Sequence, residues 1–430
     1  MDNSGISRRR FLQSAAIGMA ALTIVPRHVL GAGFTAPSDQ INLGMIGCGA
    51  QARWTLAPEF AKRANVIAAC DVESRQLQEI QDIIEKITEE KTGKKMKGFK
   101  AYSNFRELLK NKDIDGVVIA TPDHWHAIIT IESARAGKDV YVEKPMTHSI
   151  EEGRLMANAI DKYGRVLQTG NMQRSWRNFR HACELVQNGY IGDIKEIKVE
   201  VGGPPKAYDL QAEPVPPTLN WEMWVGPAVM NPYSSVLAPP MEKKVFPDWR
   251  LYKEYGGGMV CDWGAHMFDI AQWGMGMDDS GPVEFFPPDG KEFKFMTMKY
   301  ANGTIMTHEN FGRGAGVRFI GSKGVIDISR DYLDTMPGNL AKHELKDSEI
   351  RLYNSPDHYN DFLNSMKTRK QPMCTAEVGH RTASLCHIIN ICYEVNRPLK
   401  WDPVKEEFVG ERAVNRMRSG FVREPWSLTV

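Results

Sequence analysis

Two groups of residues in this 430-residue chain have the types and the spacing for chemistry. The first is Gly47-Cys48-Gly49-Ala50-Gln51-Ala52, followed by Asp71, 24 residues after Gly47. In such a pattern the first glycine permits a tight turn and the second lets backbone approach a pyrophosphate. The third position needs only a small residue, so that a helix can pack on a strand. A carboxylate about 20 residues further on accepts from a ribose 2′-hydroxyl. Gly47, Gly49, Ala50 and Asp71 are therefore expected to bind a dinucleotide. Asp71 would repel a 2′-phosphate, which favours NAD, although the nearby Arg75 leaves NADP open. The second group is Asp262 and His266, which four-residue spacing would place on one helix face. A carboxylate beside an imidazole orients the ring and raises its basicity, as general acid–base chemistry requires. Asp262, His266, His124 and His126 find no third ligand at a diagnostic spacing, so no metal is expected.

Such residues need a scaffold to hold them. Apolar runs at 41–46, 65–70, 117–120 and 140–142 alternate with helical stretches starting near Glu73, near Phe105–Leu109, and after His126 through Ala136. Ser149 and Glu152 have capping-box spacing and should open another helix. This alternation predicts a parallel sheet covered on both faces, with ligands outside the carboxyl ends of its strands. Thr121 to His126 and Glu143-Lys144-Pro145 stand at such ends. Thr121, Asp123, His126, Glu143 and Lys144 should therefore meet the cofactor, with Asp123 and His126 either lining its pocket or positioning a loop. The lysine-rich run 91–100 reads as a solvated loop. Further on, 194–201, 293–299 and 304–310 alternate as strands of an antiparallel sheet, and 319–325 reads as a hairpin. The expected fold class is α/β: a doubly wound Rossmann domain over 39–168, then an α+β domain over 169–430 with a largely antiparallel open sheet.

Glu143-Lys144-Pro145, Thr121-Pro122-Asp123-His124-Trp125-His126 and the glycine motif together resemble the Gfo/Idh/MocA family of sugar and cyclitol oxidoreductases. Gly256-Gly257-Gly258 and Asp262-Trp263-Gly264-Ala265-His266 with Asp269 resemble that family's active-site segment. The resemblance implies that Lys144 is catalytic and that Asp262 and His266 flank the substrate. It also brings Asn171, Gln173 and Arg174 beside the nicotinamide, as hydroxyl-binding side chains or as plain loop.

If a hydroxyl carbon is oxidised, its proton must leave and the incipient alkoxide must be stabilised. A lysine acting as base near neutral pH needs its pKa lowered by about three units, whereas histidine already titrates there. Proton transfer is assigned to His266 and oxygen polarisation to cationic Lys144, with Lys144 as base the competing assignment. The stretch 202–249 is a long loop rich in proline and aromatics, and such loops are functional or disordered. Trp221, Trp224, Tyr233 and Trp249 could stack on a sugar or pack down the loop, with Arg250 beside them.

Charge and composition exclude other classes. The chain carries 54 basic and 53 acidic side chains, without the basic excess that nucleic acid demands. Its seven cysteines are odd in number and lack a CxxC pair, so neither zinc ribbon nor disulfide framework is expected. The first 33 residues hold four basic groups and one acidic, leaving 50 basic against 52 acidic in the remainder. Within that leader, Arg8-Arg9-Arg10-Phe11-Leu12 precedes an uncharged stretch at 15–25, too short to span a bilayer. It resembles a bacterial twin-arginine signal, which implies recognition by the export machinery, a periplasmic location and no stable membrane insertion. The leading expectation is an NAD-dependent oxidoreductase acting on a sugar or glycoside ring hydroxyl, with carbon 3 of a glucoside foremost. A redox-assisted glycosidase is the alternative, against which the retained Lys144 counts. A non-catalytic sugar-binding protein is the third reading, and the open sheet is the expected surface for a homo-oligomer.

Overall fold

A computed structural model of the protein describes residues 40–430. The arginine motif and apolar stretch of the leader lie outside the described residues. The first lobe is a sheet of β1 (Asn42–Ile46), β2 (Asn65–Cys70), β3 (Lys100–Tyr102), β4 (Gly116–Ile119), β5 (Asp139–Val142) and β6 (Leu167–Thr169). Every pairing is parallel and the order is β3-β2-β1-β4-β5-β6. β4 and β5 are buried along their whole length, as strands covered on both faces must be. The order reverses between β1 and β4, and ligands of open α/β sheets bind at that point.

The covering helices are α1 (Ala57–Arg63), entered through a π-helical segment Ala52–Leu56, then α2 (Ser74–Thr92), α3 (Asp123–Arg135) and α4 (Ile150–Tyr163). The Glu73 carboxylate caps α2 by accepting from the Gln76 amide. α2 continues to Thr92, so the lysine-rich run begins in helix rather than loop. Both bonds of the Ser149–Glu152 capping box are made, which satisfies two amides that the helix itself leaves orphaned.

The second lobe carries β7 (Ile194–Glu200), β8 (Glu284–Phe286), β9 (Met296–Lys299), β10 (Ile305–His308), β11 (Gly316–Gly321), β12 (Val325–Ser329), β13 (Leu333–Met336), β14 (Leu399–Asp402) and β15 (Glu407–Phe408). Their order is β13-β12-β11-β7-β10-β9-β8-β14-β15, antiparallel except where β10 lies parallel to β7. One face is covered by α5 (Arg177–Gln187), the consecutive segments α6 (Gly258–Asp262) and α7 (Gly264–Gly274), and a later helix, α9 (Ala376–Val395). Phe268, Phe285, Phe319, Met298 and Met306 fill the space between, all fully buried. Each such side chain stabilises the fold by about 1.5–3 kcal/mol through removal from water.

The chain then returns to the first lobe. α8 (His358–Thr368) seats Phe362 and Leu363 in the cluster that holds Phe60 and Tyr141. The long loop 202–249 contributes a core of its own, in which Trp221 and Trp224 stack at 4.5 Å beside Tyr233. All seven cysteines are buried and unpaired. Among the described residues, no helix is long and apolar enough to cross a membrane.

Candidate active site

One cavity runs along the carboxyl ends of β1, β2, β4 and β5, and it gathers most of the residues singled out above. Gly47, Gly49, Ala50, Asp71, Thr121, Asp123, Glu143, Lys144, Trp249, Arg250 and Asp262 all line it. Gly47 turns the chain at φ +89°, and a Cβ there would meet the Ala120 carbonyl and the Thr121 amide at 2.7 Å. A Cβ on Gly49 would instead enter open space, with only Gln76 Oε1 within 4 Å, at 3.9 Å. That opening is the cradle a pyrophosphate needs. The helical run starts here, since the Arg53 amide donates to the Gly49 carbonyl at 3.0 Å. Its first amides are left without helical acceptors and the positive end of its dipole faces the cavity.

At the far end of the cradle, Asp71 accepts from the amides of Cys48 at 2.5 Å and Glu73 at 2.7 Å. Burial pushes the Asp71 carboxyl up to about 6, and those amides work against the rise. Arg75 cannot offer a free cation to a 2′-phosphate, because Glu73 and Glu242 hold it at 3.2 Å and 2.8 Å. The carboxylates of Asp71 and Glu73, together with the glycine cradle, fit NAD.

The other end is built around Asp262. Lys144 Nζ donates to Asp262 Oδ1 at 2.6 Å and to its backbone carbonyl at 3.0 Å, which leaves a third ammonium hydrogen unused. Arg250 Nη1 stands 3.5 Å from Asp262 Oδ2. Against the effect of burial, Lys144, Arg250 and Arg330 hold the Asp262 carboxyl below its ordinary value. Glu143 accepts from Gln51 Nε2 at 3.1 Å, joining the end of β5 to the glycine turn. Burial, with the charge of Asp262, pushes the Asp123 carboxyl well up, against the opposing charges of Lys144 and Arg250.

Five expectations need correction. Asp262 and His266 do not share one helix face as partners: the helix breaks at Trp263, and the carboxylate turns to Lys144 and Arg250 instead. His266 gains no basicity from it. Burial, with the charges of Lys144 and Arg330, lowers the imidazole well below its ordinary range. His266 Nδ1 is buried without a partner, and the ring does not line the main cavity.

Arg174 is no sugar ligand. It is 2% exposed, and its guanidinium is fully engaged by Asp269 and Asp278 at 2.7 to 2.9 Å. Asn171 also spends its amide internally, accepting from Thr169 Oγ1 at 2.6 Å and donating to the Ala265 carbonyl at 2.7 Å. It therefore fixes the start of α7 rather than a ligand. His126 faces the carbonyls of Pro145 at 2.9 Å and Thr121 at 3.0 Å, and burial lowers it to about 4. It braces the two motif strand ends from behind and is not in the cavity wall. Gln173 is buried outside the main cavity, with neither amide atom partnered.

Sequence reasoning missed several participants. Glu73 adds a second carboxylate at the ribose end, signalled only by its position two residues after Asp71. Phe246 comes into the cavity wall from the long loop beside the expected Trp224 and Tyr233, while Trp221 packs down into the loop core. His124 and Trp125 anchor that loop through the Trp224 carbonyl, at 3.1 Å and 2.9 Å. Arg330, whose charge acts on Asp262 and His266, carried no signal in the sequence, and Trp263 was visible only as a member of the Asp262–His266 motif.

Comparison with known proteins places this geometry. A family model described as "Oxidoreductase family, NAD-binding Rossmann fold" matches residues 41–171. Another, "Oxidoreductase family, C-terminal alpha/beta domain", matches residues 203–428. Myo-inositol 2-dehydrogenase of Thermotoga maritima is 25% identical over 239 residues, a match spanning 54% of this chain and 54% of that enzyme. Glycosyl hydrolase family 109 protein 2 of Shewanella sp. strain ANA-3 is 31% identical over 168 residues, 35% of this chain and 36% of that protein. Scyllo-inositol dehydrogenase from Lactobacillus casei, solved with NAD(H) and scyllo-inositol, shares the fold. The TM-score is 0.56 at 18% identity, covering 84% of this chain and 99% of that one. The first lobe is an NAD-binding Rossmann domain, and the chain belongs to the Gfo/Idh/MocA oxidoreductase family.

Proposed function

We propose that this NAD-binding oxidoreductase oxidises a ring hydroxyl of a sugar or glycoside, with carbon 3 of a glucoside the first position to examine. The observation that carries the reading is the Lys144–Asp262 pair at 2.6 Å, in the same cavity wall as the Gly47–Gly49 cradle. Gly47, Gly49, Ala50, Asp71, Thr121 and Glu143 would hold NAD, which supplies the two-electron acceptor when bound. Lys144, fixed by Asp262, turns its remaining N–H to the reacting oxygen and lowers the hydroxyl pKa there. His266, outside the cavity wall but within reach of the Lys144 charge, takes the proton at Nε2, the ring nitrogen opposite its buried, unpartnered Nδ1. Burial and neighbouring cations keep the imidazole neutral and so able to accept. A weaker base is slower by Brønsted behaviour, which the acidified hydroxyl offsets. Asp123 and Arg250 orient the substrate, while Trp224 and Trp249 in the cavity wall exclude water.

The experiment is to purify the protein without added nucleotide, quantify nicotinamide released on denaturation, and supply a panel of glycosides with NMR mapping of products. A ketone product with matching growth of reduced-nicotinamide absorbance is expected. No bound nicotinamide and no absorbance change with any glycoside would remove the proposal. A redox-assisted glycosidase is the second reading, favoured by the 31% identity to the family 109 hydrolase. Aglycone release without net ketone would select it.

The leader adds a proposed route: export by the twin-arginine system to the periplasm, with NAD loaded beforehand and recycled in place. Arg8 and Arg9 exchanged for lysine should leave the protein in the cytoplasmic fraction. The outer face of the nine-stranded sheet is the proposed self-association surface, which light scattering of the purified protein tests.

A further inference from the structure

Arg330, in the turn between β12 and β13, is a cation near Asp262 with no acceptor of its own. Its guanidinium lies 4.6 Å from the ring centroid of Trp263 and 5.6 Å from that of Trp176. Among the described residues it has neither an ion-pair partner nor a hydrogen-bond acceptor. Trp263 directly follows Asp262, and its ring meets His266 edge-on at 5.8 Å. The guanidinium therefore stands one indole away from the group proposed to take the proton. Its charge reaches both Asp262 and His266.

Three features set Arg330 apart from an ordinary solvated arginine. Two indoles hold its guanidinium, and with no acceptor of its own its N–H fork is open to a planar acceptor. Trp176 is itself 39% exposed, a large apolar ring left at the surface beside an exposed cation. Three cations also converge on the Asp262 carboxylate. Lys144, Arg250 and Arg330 all act on Asp262, and Asp331 is the other carboxylate that acts on Arg330. A neutral sugar could accept hydrogen bonds from Arg330 but would bring it no counter-charge.

We propose that the substrate sugar is acidic, a uronic acid or glycuronide. Its carboxylate docks on the Arg330 fork and its ring on Trp263. The proposal rests on the reading that the Lys144–Asp262 centre oxidises a sugar hydroxyl, and it names the class of that sugar.

The test is calorimetric titration of the nicotinamide-loaded protein with methyl glucuronide, methyl glucoside and glucose 6-phosphate. Methyl glucuronide should bind tighter than methyl glucoside by about 10-fold or more, as charge-assisted bidentate recognition provides. Arg330→Gln should erase that advantage to within about 2-fold, and Arg330→Lys, which keeps charge but not the fork, should restore only part of it. Equal affinity of the two methyl sugars, no measurable binding of the glucuronide, or an advantage that survives in Arg330→Gln overturns the proposal. Tighter binding of glucose 6-phosphate than of the glucuronide overturns it as well, in favour of a phosphate ligand. Binding is read independently of turnover. Discrimination without any ketone product would remove the proposed oxidation and leave the acidic ligand standing. Ketone formation without discrimination would do the reverse.

Discussion

Two buried ion clusters, one around Asp269 in α7 and one around Asp262 at the end of α6, differ in how fully they are satisfied. Around Arg174, two carboxylates engage the guanidinium on all sides, and its face rests on Trp273 at 5.1 Å. Around Asp262 the proportions are reversed. Lys144 and Arg250 share one carboxylate, the lysine keeps a spare hydrogen, and Arg250 Nε is buried without a partner. The first cluster is saturated and shut, so it can only hold α7 to the segment before α5. The second is under-satisfied and opens on a cavity, so its unused donors are available to a ligand. What separates structure from chemistry here is not residue type but whether donors and acceptors are balanced.

That contrast can be broken by exchanging the cations. Lys144→Met should reduce kcat by about 10³-fold, since it removes the donor at the reacting oxygen; steady-state rates on the best glycoside check this. Arg174→Met should leave two facing carboxylates without their cation and lower unfolding stability by about 3–5 kcal/mol. Denaturant unfolding measures that loss, and kcat at low temperature should stay within about 2-fold.

A smaller effect is expected at the cofactor end. Asp71→Ala should weaken NAD by about 10–100-fold, the worth of a hydrogen bond to a charged group, and narrow its preference over NADP. Fluorescence titration with both nucleotides decides it. The least change is predicted for pH. His266 lies well below the ordinary imidazole value of 6.5, so kcat/KM should stay level through that value on acidification and fall only lower. Stability should move sooner. His126 and His358 sit at about 4 when folded, and the unfolded chain takes up protons first. Their contribution is complete above about 6.5 and is lost as pH falls towards 4.

The legible parts of this site are those whose meaning is local. The glycine turn, Asp71 and Glu143-Lys144 belong to strand ends, where the pattern of neighbours fixes both element and exposure. Arg174 looked equally functional because nothing nearby in sequence reveals its partners, which lie 95 and 104 residues away. The same distance problem hid the true partner of Asp262, since Lys144 is 118 residues off while His266 is only four. Helical spacing suggested the nearer pairing, and the break at Trp263 undid it. Trp221 and Trp224 show the limit in miniature. They stand three residues apart in one short helix, yet one packs down and the other also faces the cavity.

The most direct test of the account is a single turnover of the purified, nicotinamide-loaded enzyme with an active glycoside, followed by reduced-nicotinamide absorbance in wild type, Lys144→Met and Arg174→Met. The account predicts a full absorbance step in wild type, a step slowed by about 10³-fold in Lys144→Met, and a wild-type rate in folded Arg174→Met. A fast step in Lys144→Met, or a slow one in folded Arg174→Met, would contradict it.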